Sequence, residues 1–486
     1  MASVESEPGQ EGMTPTTRGD IAKVSSDEGM LPHDAASHLD RVEEGEWWRI
    51  GSRRRRAGQL RWCPDQGLVL DIHRELEPLA AAPTWAEDFS VVRGNTKQHG
   101  HVTVLGARIS ETRTQHQGDE DQPTAVRSVY FCDLALLNVH SGEDGPRVAD
   151  VDLRLDALNR WTDRYGGVKT IPGGVKWDHS PPLVARLPFG TFLLQRHLSS
   201  SLGTSKAEVR AESGFTLRYD TPTRLATVLR EGIEPAQDLV TFLLGVPCRV
   251  TNLTLWDKPN LSMFDRRQRQ ITVLRSGPRT AVGAISHPGV LGDAILLTQM
   301  LDRFEDVVAR WFALYERLLL PLSFFMASEY APSEFIQPSF LQSVQACEAL
   351  HRRLYEGQRE PQEEFEARRA RILTAVSDED RDLVSGTMRL ANEYPLQQRL
   401  RQLIVTVPPA LRQGWGRPGT FATLVANTRN LLAHGLRPQA TRQVLDTNGM
   451  VLASWRLRRM MRVIVLGQLG FTDADILDLF RHAPPL

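Results

Sequence analysis

The sequence predicts an α+β protein, with an N-terminal β-rich, sandwich-like region followed by a C-terminal all-α helical bundle. Between about Gly58 and Gly277, apolar residues alternate in short runs separated by turn clusters, which is the period of half-buried strands. After about Leu291 the apolar spacing changes to threes and fours, the period of helices that bury one side. A length of 486 residues also exceeds what one core usually spans, so two or three domains are expected.

The first forty residues hold eight acids and two bases with almost no apolar periodicity. Such a stretch buries too little to offset its ordering entropy, so residues 1–45 are expected to be a disordered acidic tail. The run Arg53 to Arg56 comes next; a solvated loop is the ordinary reading, and nucleic-acid contact the alternative. "GQLRWCPDQGLVLDI" alternates Leu60 and Trp62, turns through Pro64-Asp65-Gln66-Gly67, then alternates Leu68, Leu70 and Ile72. That is a β-hairpin. Further strands are expected in "HVTVLGARI" from His101, "SVYFCDLALL" from Ser128, "VDLRL" from Val151 and "FTLRY" from Phe215. "CRVTNLTLW" from Cys248 and "RQITVL" from Arg269 complete the set. Many short strands without regular helices between them suggest a sandwich or barrel-like module over residues 46–290. "PAQDLVTFLLG" is the exception, a helix beside the sheet, and "RSGPRTAVGAISHPGVLG" reads as an interdomain linker.

Residues 291–486 form the helical part. "DRFEDVVARWFALYERLLLPLSFF" places Phe304, Val307, Val308, Trp311, Phe312, Tyr315, Leu318 and Leu319 at helical spacing. Four later segments repeat the pattern, giving about five helices.

Several function classes are disfavoured. Cys63, Cys132, Cys248 and Cys347 lie far apart, with no CxxC or paired Cys/His spacing, against a zinc site and against a disulfide scaffold. His99 and His101 flank Gly100 closely enough to share a metal, yet no third ligand is apparent, and no metal or other cofactor is expected. No GxxxxGK[ST] loop is present. The chain lacks a signal pattern, and its longest apolar runs are about half a membrane span, so a cytoplasmic protein without a membrane partner is expected.

The chemistry concentrates in "TFATLVANTRNLLAHGL". As a helix, it puts Phe421, Leu424, Val425, Thr428, Leu431 and Leu432 on one half of the wheel. Arg429, Ala433, Asn430, His434 and Asn427 fall on the other half, with Gly435 a plausible helix end. Arg429 and His434 then flank a strip centred on Ala433 and Asn430, roughly 7.5 Å apart along the axis. A solvated helix face explains the same residues, but the charge distribution favours more. Between Pro395 and Gly470 stand eleven arginines and one acid, Asp446, and no lysine follows Lys258. Guanidinium forks bind phosphate bidentately, so this excess is the footprint of a polyanion partner. Arg399, Arg401 and Arg437 are candidates for contacting it. In "SFLQSVQACEALHRRLYEG", Glu348 and His351 fall inside the apolar stripe of Phe340, Leu341, Val344 and Tyr355. An inward carboxylate needs a partner, either His351 or an arginine such as Arg429 from another helix.

These segments resemble a known family. "RNLLAH", Arg429 to His434, is similar to the signature of HEPN domains: Arg, a polar residue, a short spacer, then His. "FLQSVQACEALHRRLY" and "ANEYPLQQRLRQL" resemble the Glu-and-His helix and the helix after it in ApeA-like bacterial proteins, which carry a β-rich region ahead of their HEPN domain. The resemblance covers roughly Trp47 to the end. It implies a HEPN-type endoribonuclease of abortive-infection antiphage defence, cutting RNA, often tRNA, without a metal and triggered by a phage product. It also implies a homodimer in which Arg429 and His434 of two copies face each other, with Asn430, Glu348 and His351 in support. The alternative is a non-catalytic HEPN module that binds RNA or nucleotide as a scaffold. The chemistry itself is coherent. Imidazole suits both proton steps of RNA cleavage, and guanidinium suits the charge on phosphorus. One His cannot conveniently serve both sides of a phosphate, whereas two copies of His434 about a two-fold axis can.

Overall fold

The computed structural model describes residues 41–481 except 64–66, 74–88, 116–124, 163–166, 172–173, 179–180, 203–206, 259–268, 278–293, 356 and 436–442. The expected tail lies outside the described residues up to position 40. From Arg41 the chain is already a strand, so the expected boundary at residue 45 falls five residues late.

The first strands are β1 (Arg41–Arg49), β2 (Arg56–Cys63), β3 (Gly67–His73), β4 (Phe89–Thr96), β5 (Gly100–Gln115), β6 (Ala125–Cys132) and β7 (Leu134–Leu137). The hairpin read from period two is β2–β3, with Leu60 opposite Leu70 and Trp62 opposite Leu68. Neighbours run β5-β4-β1-β2-β3-β6, and β6 pairs again with β5, which closes a six-stranded barrel. Of the two forms the strand pattern allowed, the structure takes the barrel. Trp47, Leu60, Leu70, Val102, Val104 and Tyr130 fill its interior. "SVYFCDLALL", expected as one strand, breaks at Asp133 into β6 and β7, because β5 turns a corner opposite it at Gly106. Gly106 has φ +65, and a Cβ there would strike the Asp133 carboxylate, so only glycine fits.

Outside the barrel the sheet continues through β8 (Arg147–Leu155), β11 (Leu183–Leu187), β12 (Gly190–Leu202), β13 (Ala207–Arg224), β14 (Val250–Trp256) and β15 (Gln270–Arg275). The order is β11-β12-β13-β8-β14-β15-β7-β5, antiparallel throughout. A short helix α1 (Leu158–Trp161) and a separate hairpin of β9 (Gly167–Ile171) and β10 (Gly174–Asp178) flank it.

After β13 come α2 (Leu225–Thr227), a π-helical turn (Val228–Ile233) and α3 (Glu234–Leu244). Pro235 has no N–H to donate, which accounts for the widened turn ahead of it. Every residue from Pro235 to Leu244 is buried. That is the helix expected from "PAQDLVTFLLG", and it is the keel of the molecule. The remaining helices are α4 (Phe304–Arg317), α5 (Leu319–Tyr330), α6 (Ile336–Tyr355), α7 (Gln362–Ala375), α8 (Asp378–Met388), α9 (Leu396–Thr406), α10 (Pro418–His434), α11 (Thr447–Gln468) and α12 (Asp473–Leu479). No helix among the described residues is long and apolar enough to cross a membrane.

The outer sheet, α3 and the helices share one hydrophobic core. Trp311 of α4 donates from Nε1 to the Pro235 carbonyl at 2.8 Å. Tyr315 and Tyr330 donate to Asp238 of α3 at 2.6 and 3.0 Å. Arg462 of α11 caps the end of α3 by donating to the Leu243 carbonyl at 3.1 Å. On the other side, Phe189 and Phe192 meet Phe304 and Phe312. The β-rich and helical parts are therefore packed on one continuous core.

Candidate active site

Helix α10 starts with Pro418 in its first turn, where a missing N–H costs nothing, and stops at Gly435 with φ 59. Phe421, Ala422, Val425, Ala426 and Thr428 are its buried face. Thr428 also holds the following segment, its Oγ1 accepting from the Leu445 N–H at 2.9 Å, and Asn427 Nδ2 donates to the Gln443 carbonyl at 3.1 Å. The opposite face is the one read from the wheel. Ala433 and His434 are exposed, and Asn427, Arg429 and Asn430 are half-buried.

Arg429 is held from two sides. Its Nη1 donates to Asn430 Oδ1 at 3.1 Å, and its Nη2 lies 3.7 Å from Glu348 Oε2 on α6. Of the two partners the sequence left open for Glu348, the structure takes Arg429 and not His351. Glu348 is shared with Arg352, one turn on, at 3.3 Å. Arg352 reaches Glu393 Oε2 at 2.7 Å, and Glu393 takes Arg399 at 3.1 Å. A relay of alternating charges therefore backs Arg429, which stays partly exposed. Sequence reading missed Arg352 and Glu393; the i,i+4 spacing of Glu348 and Arg352 was the available signal. His434 stands alone at the exposed end of the helix, with no hydrogen-bond partner among the described residues.

His351 is elsewhere. It is fully buried, with Nε2 2.5 Å from Gln402 Oε1 and the ring tilted against Tyr355 at 4.9 Å. Glu348 is not its partner. Burial pushes the His351 pKa down, against the Gln402 hydrogen bond, with Arg399 and Arg352 adding to the shift. On unfolding, this imidazole regains its ordinary affinity for protons, so the unfolded chain binds more protons just below pH 6.5. Stability is then full above that pH and falls as the pH drops toward the folded-state value. His140 and His197, also shifted down by burial, act in the same direction. We expect the melting temperature to fall between pH 7.5 and 5.5, and His351→Gln to shrink that fall. An unchanged slope in the variant would remove His351 from this role.

Two expectations about arginine need correcting. Arg399 is 1 % exposed and donates to the Tyr394 and Gly357 carbonyls as well as to Glu393, so it braces α9 and does not present itself to RNA. The local surplus of arginine is also partly internal. Arg459 and Arg462 are buried, with guanidinium groups over the Phe480 ring, Arg456 donates to the Gly414 carbonyl, and Arg458 pairs with Glu329. Arg401 and Arg417 are exposed, and Arg437 lies outside the described residues. Among the described residues no group of three or more His, Cys, Asp or Glu side chains could hold a metal ion.

Two family models match the chain, one over each half. The family model of the ApeA N-terminal domain 1 matches residues 43–276, and that of the Apea-like HEPN matches residues 341–475. The second match spans Glu348, Arg429 and His434. Searches of curated proteins and of solved structures found no match. The family supports a nuclease-type function in antiphage defence as the general class. Barrel, helical region and Arg–His helix thus come together in one assignment: the chain is an ApeA-like protein with a C-terminal HEPN domain.

Proposed function

We propose that this protein is a metal-independent endoribonuclease, acting on RNA, tRNA among the candidates, at a site completed by a second copy of the chain. The observation that carries the reading is the outward face of α10, where a braced Arg429 and a solvent-facing His434 share one helix. In this scheme one His434 takes the proton from a ribose 2′-hydroxyl, and the oxygen attacks phosphorus. The bond from phosphorus to the 5′-oxygen breaks, and the partner subunit's His434 protonates the departing oxygen. The products are a 2′,3′-cyclic phosphate and a 5′-hydroxyl. Arg429 from each copy meets the charge that builds on the phosphoryl oxygens, with Glu348 and Asn430 setting its direction. A dimer about a two-fold axis supplies both imidazoles from one exposed surface. DNA, lacking the 2′-hydroxyl, is not a substrate in this scheme. Control by a phage product fits an enzyme whose unrestrained activity would harm its host.

The test is incubation of the full chain with total RNA in excess chelator, with the product ends mapped. Cyclic phosphate and 5′-hydroxyl ends are expected. Intact RNA, or cutting that returns only with magnesium, would overturn the reading and favour a scaffold that binds without cleaving.

A further inference from the structure

Two sequence features set aside above, the arginine run and the His99–Gly100–His101 turn, meet on the outside of the barrel. Alternation in β1 sends Trp47 into the barrel and leaves Trp48 half-buried outside. Arg93 lies opposite Trp48 on β4, and His101 of β5 lies opposite Asn95. His140, from the loop after β7, closes the group. Its ring stacks on His101 with centroids 4.2 Å apart and 25° between planes, and meets Trp48 edge-on at 5.4 Å. Arg55 from the β1–β2 turn covers the Trp48 ring at 4.8 Å.

This group is rigidly mounted. His140 donates from Nε2 to the Gly94 carbonyl at 2.8 Å, so its ring orientation is fixed. Arg93 donates twice to the Ser141 carbonyl, at 3.3 and 3.2 Å. Thr103 donates to the Val139 carbonyl at 2.9 Å and accepts from the Ser141 N–H at 2.9 Å. The acids nearby are occupied: Glu43 with His99 at 2.7 Å, Glu44 with Lys97 at 3.1 Å, and Glu46 with Arg55 at 3.3 Å. Arg53 and Arg54, exposed in the same turn, are left over as net positive charge. His140 is pushed below its ordinary pKa by burial, with His101, Arg93 and Arg55 adding to the shift, so at neutral pH it stacks as an uncharged ring.

We propose that this face is a second RNA site, a platform on which the bases of a single-stranded segment stack against His101 and its phosphates meet Arg53 and Arg54. Flat rings held edge-to-face and stacked offer a π surface that any base can use, and guanidinium groups beside them track the backbone. Duplex RNA keeps its bases stacked on one another and so gains only the phosphate contacts. An acidic protein would use the arginines but not the imidazole stack.

The site is tested apart from cleavage, in the full chain carrying His434→Ala and Arg429→Ala. Fluorescein-labelled single-stranded RNA of about twelve nucleotides is titrated by anisotropy at several salt concentrations, with a duplex of equal length beside it. His101→Ala is expected to weaken single-strand binding about 5- to 50-fold, leaving the salt slope and duplex binding unchanged. Arg53→Glu with Arg54→Glu is expected to weaken both ligands at least 10-fold and to lower the salt slope by about two. Both positions are exposed, so the variants should keep the parental melting temperature. Equal affinity of all variants, or equal loss of duplex and single strand in His101→Ala, would overturn the proposal. The parent binding RNA while the wild-type chain leaves RNA uncut would refute the nuclease reading and leave this site standing.

Discussion

Replacing His434 with alanine is expected to lower RNA cleavage about a hundred- to ten-thousand-fold, the range in which positioned acid–base groups contribute. The size follows from the dimer scheme, because one substitution removes the base and the acid together. The fold should be untouched. His434 is exposed in the last turn of α10, and surface changes of this kind stay within about 0.5 kcal/mol. Cleavage of total RNA and a melting curve, run on the same preparation, separate the two effects. A variant that melts normally and still cuts at near the parental rate would remove His434 from the chemistry. Arg429→Ala should lose comparable activity, but it also leaves Glu348 with Arg352 alone, so its melting curve is the less simple control.

The largest structural effect is expected at Trp311. Its side chain is fully buried, packs tilted against Phe242 at 5.3 Å and Tyr315 at 5.8 Å, and is tied by Nε1 to the Pro235 carbonyl. Alanine there opens a cavity at the junction of α3 and α4 and leaves that carbonyl without its donor. Aromatic-to-alanine changes in cores cost about 3–5 kcal/mol, a large part of the stability of most proteins. The more telling result is where the loss appears. Since the outer sheet and the helices share one core, hydrogen exchange should rise together in peptides from β8 and β14 and in peptides from α10. Faster exchange in the helices alone would mean that the two regions stand independently.

The legible parts of the sequence were those whose signal is local. The β2–β3 hairpin and the α3, α4, α6 and α10 helices follow from apolar period and turn chemistry, and they stand where expected. The Glu348–Arg429 pair was legible too, because an inward carboxylate demands a cation. β1 was missed since "RVEEGEWWR" is charged enough to resemble the tail before it. β11 and β12 were missed because "LVARL" is short and "SSSL" has no apolar alternation. Barrel closure depends on β5 meeting β6 across a sharp corner, and residue pattern alone does not encode which edge pairs with which. The arginine surplus was legible as composition and misleading as surface. Nothing in the order of residues announces that Arg462 ends under Phe480 and against α3.

The burial of α3 limits how any activity of this protein could be governed. Severing the chain near residue 290 and discarding the front half would strip Trp311, Phe325 and the Arg462 guanidinium of their contacts with α3, so a sticky fragment is expected in place of a freed helical half. Release of a working helical half by proteolysis is therefore not expected. Any control of the activity proposed above is expected to act with both halves still joined, by moving them as a unit or by bringing copies of the whole chain together.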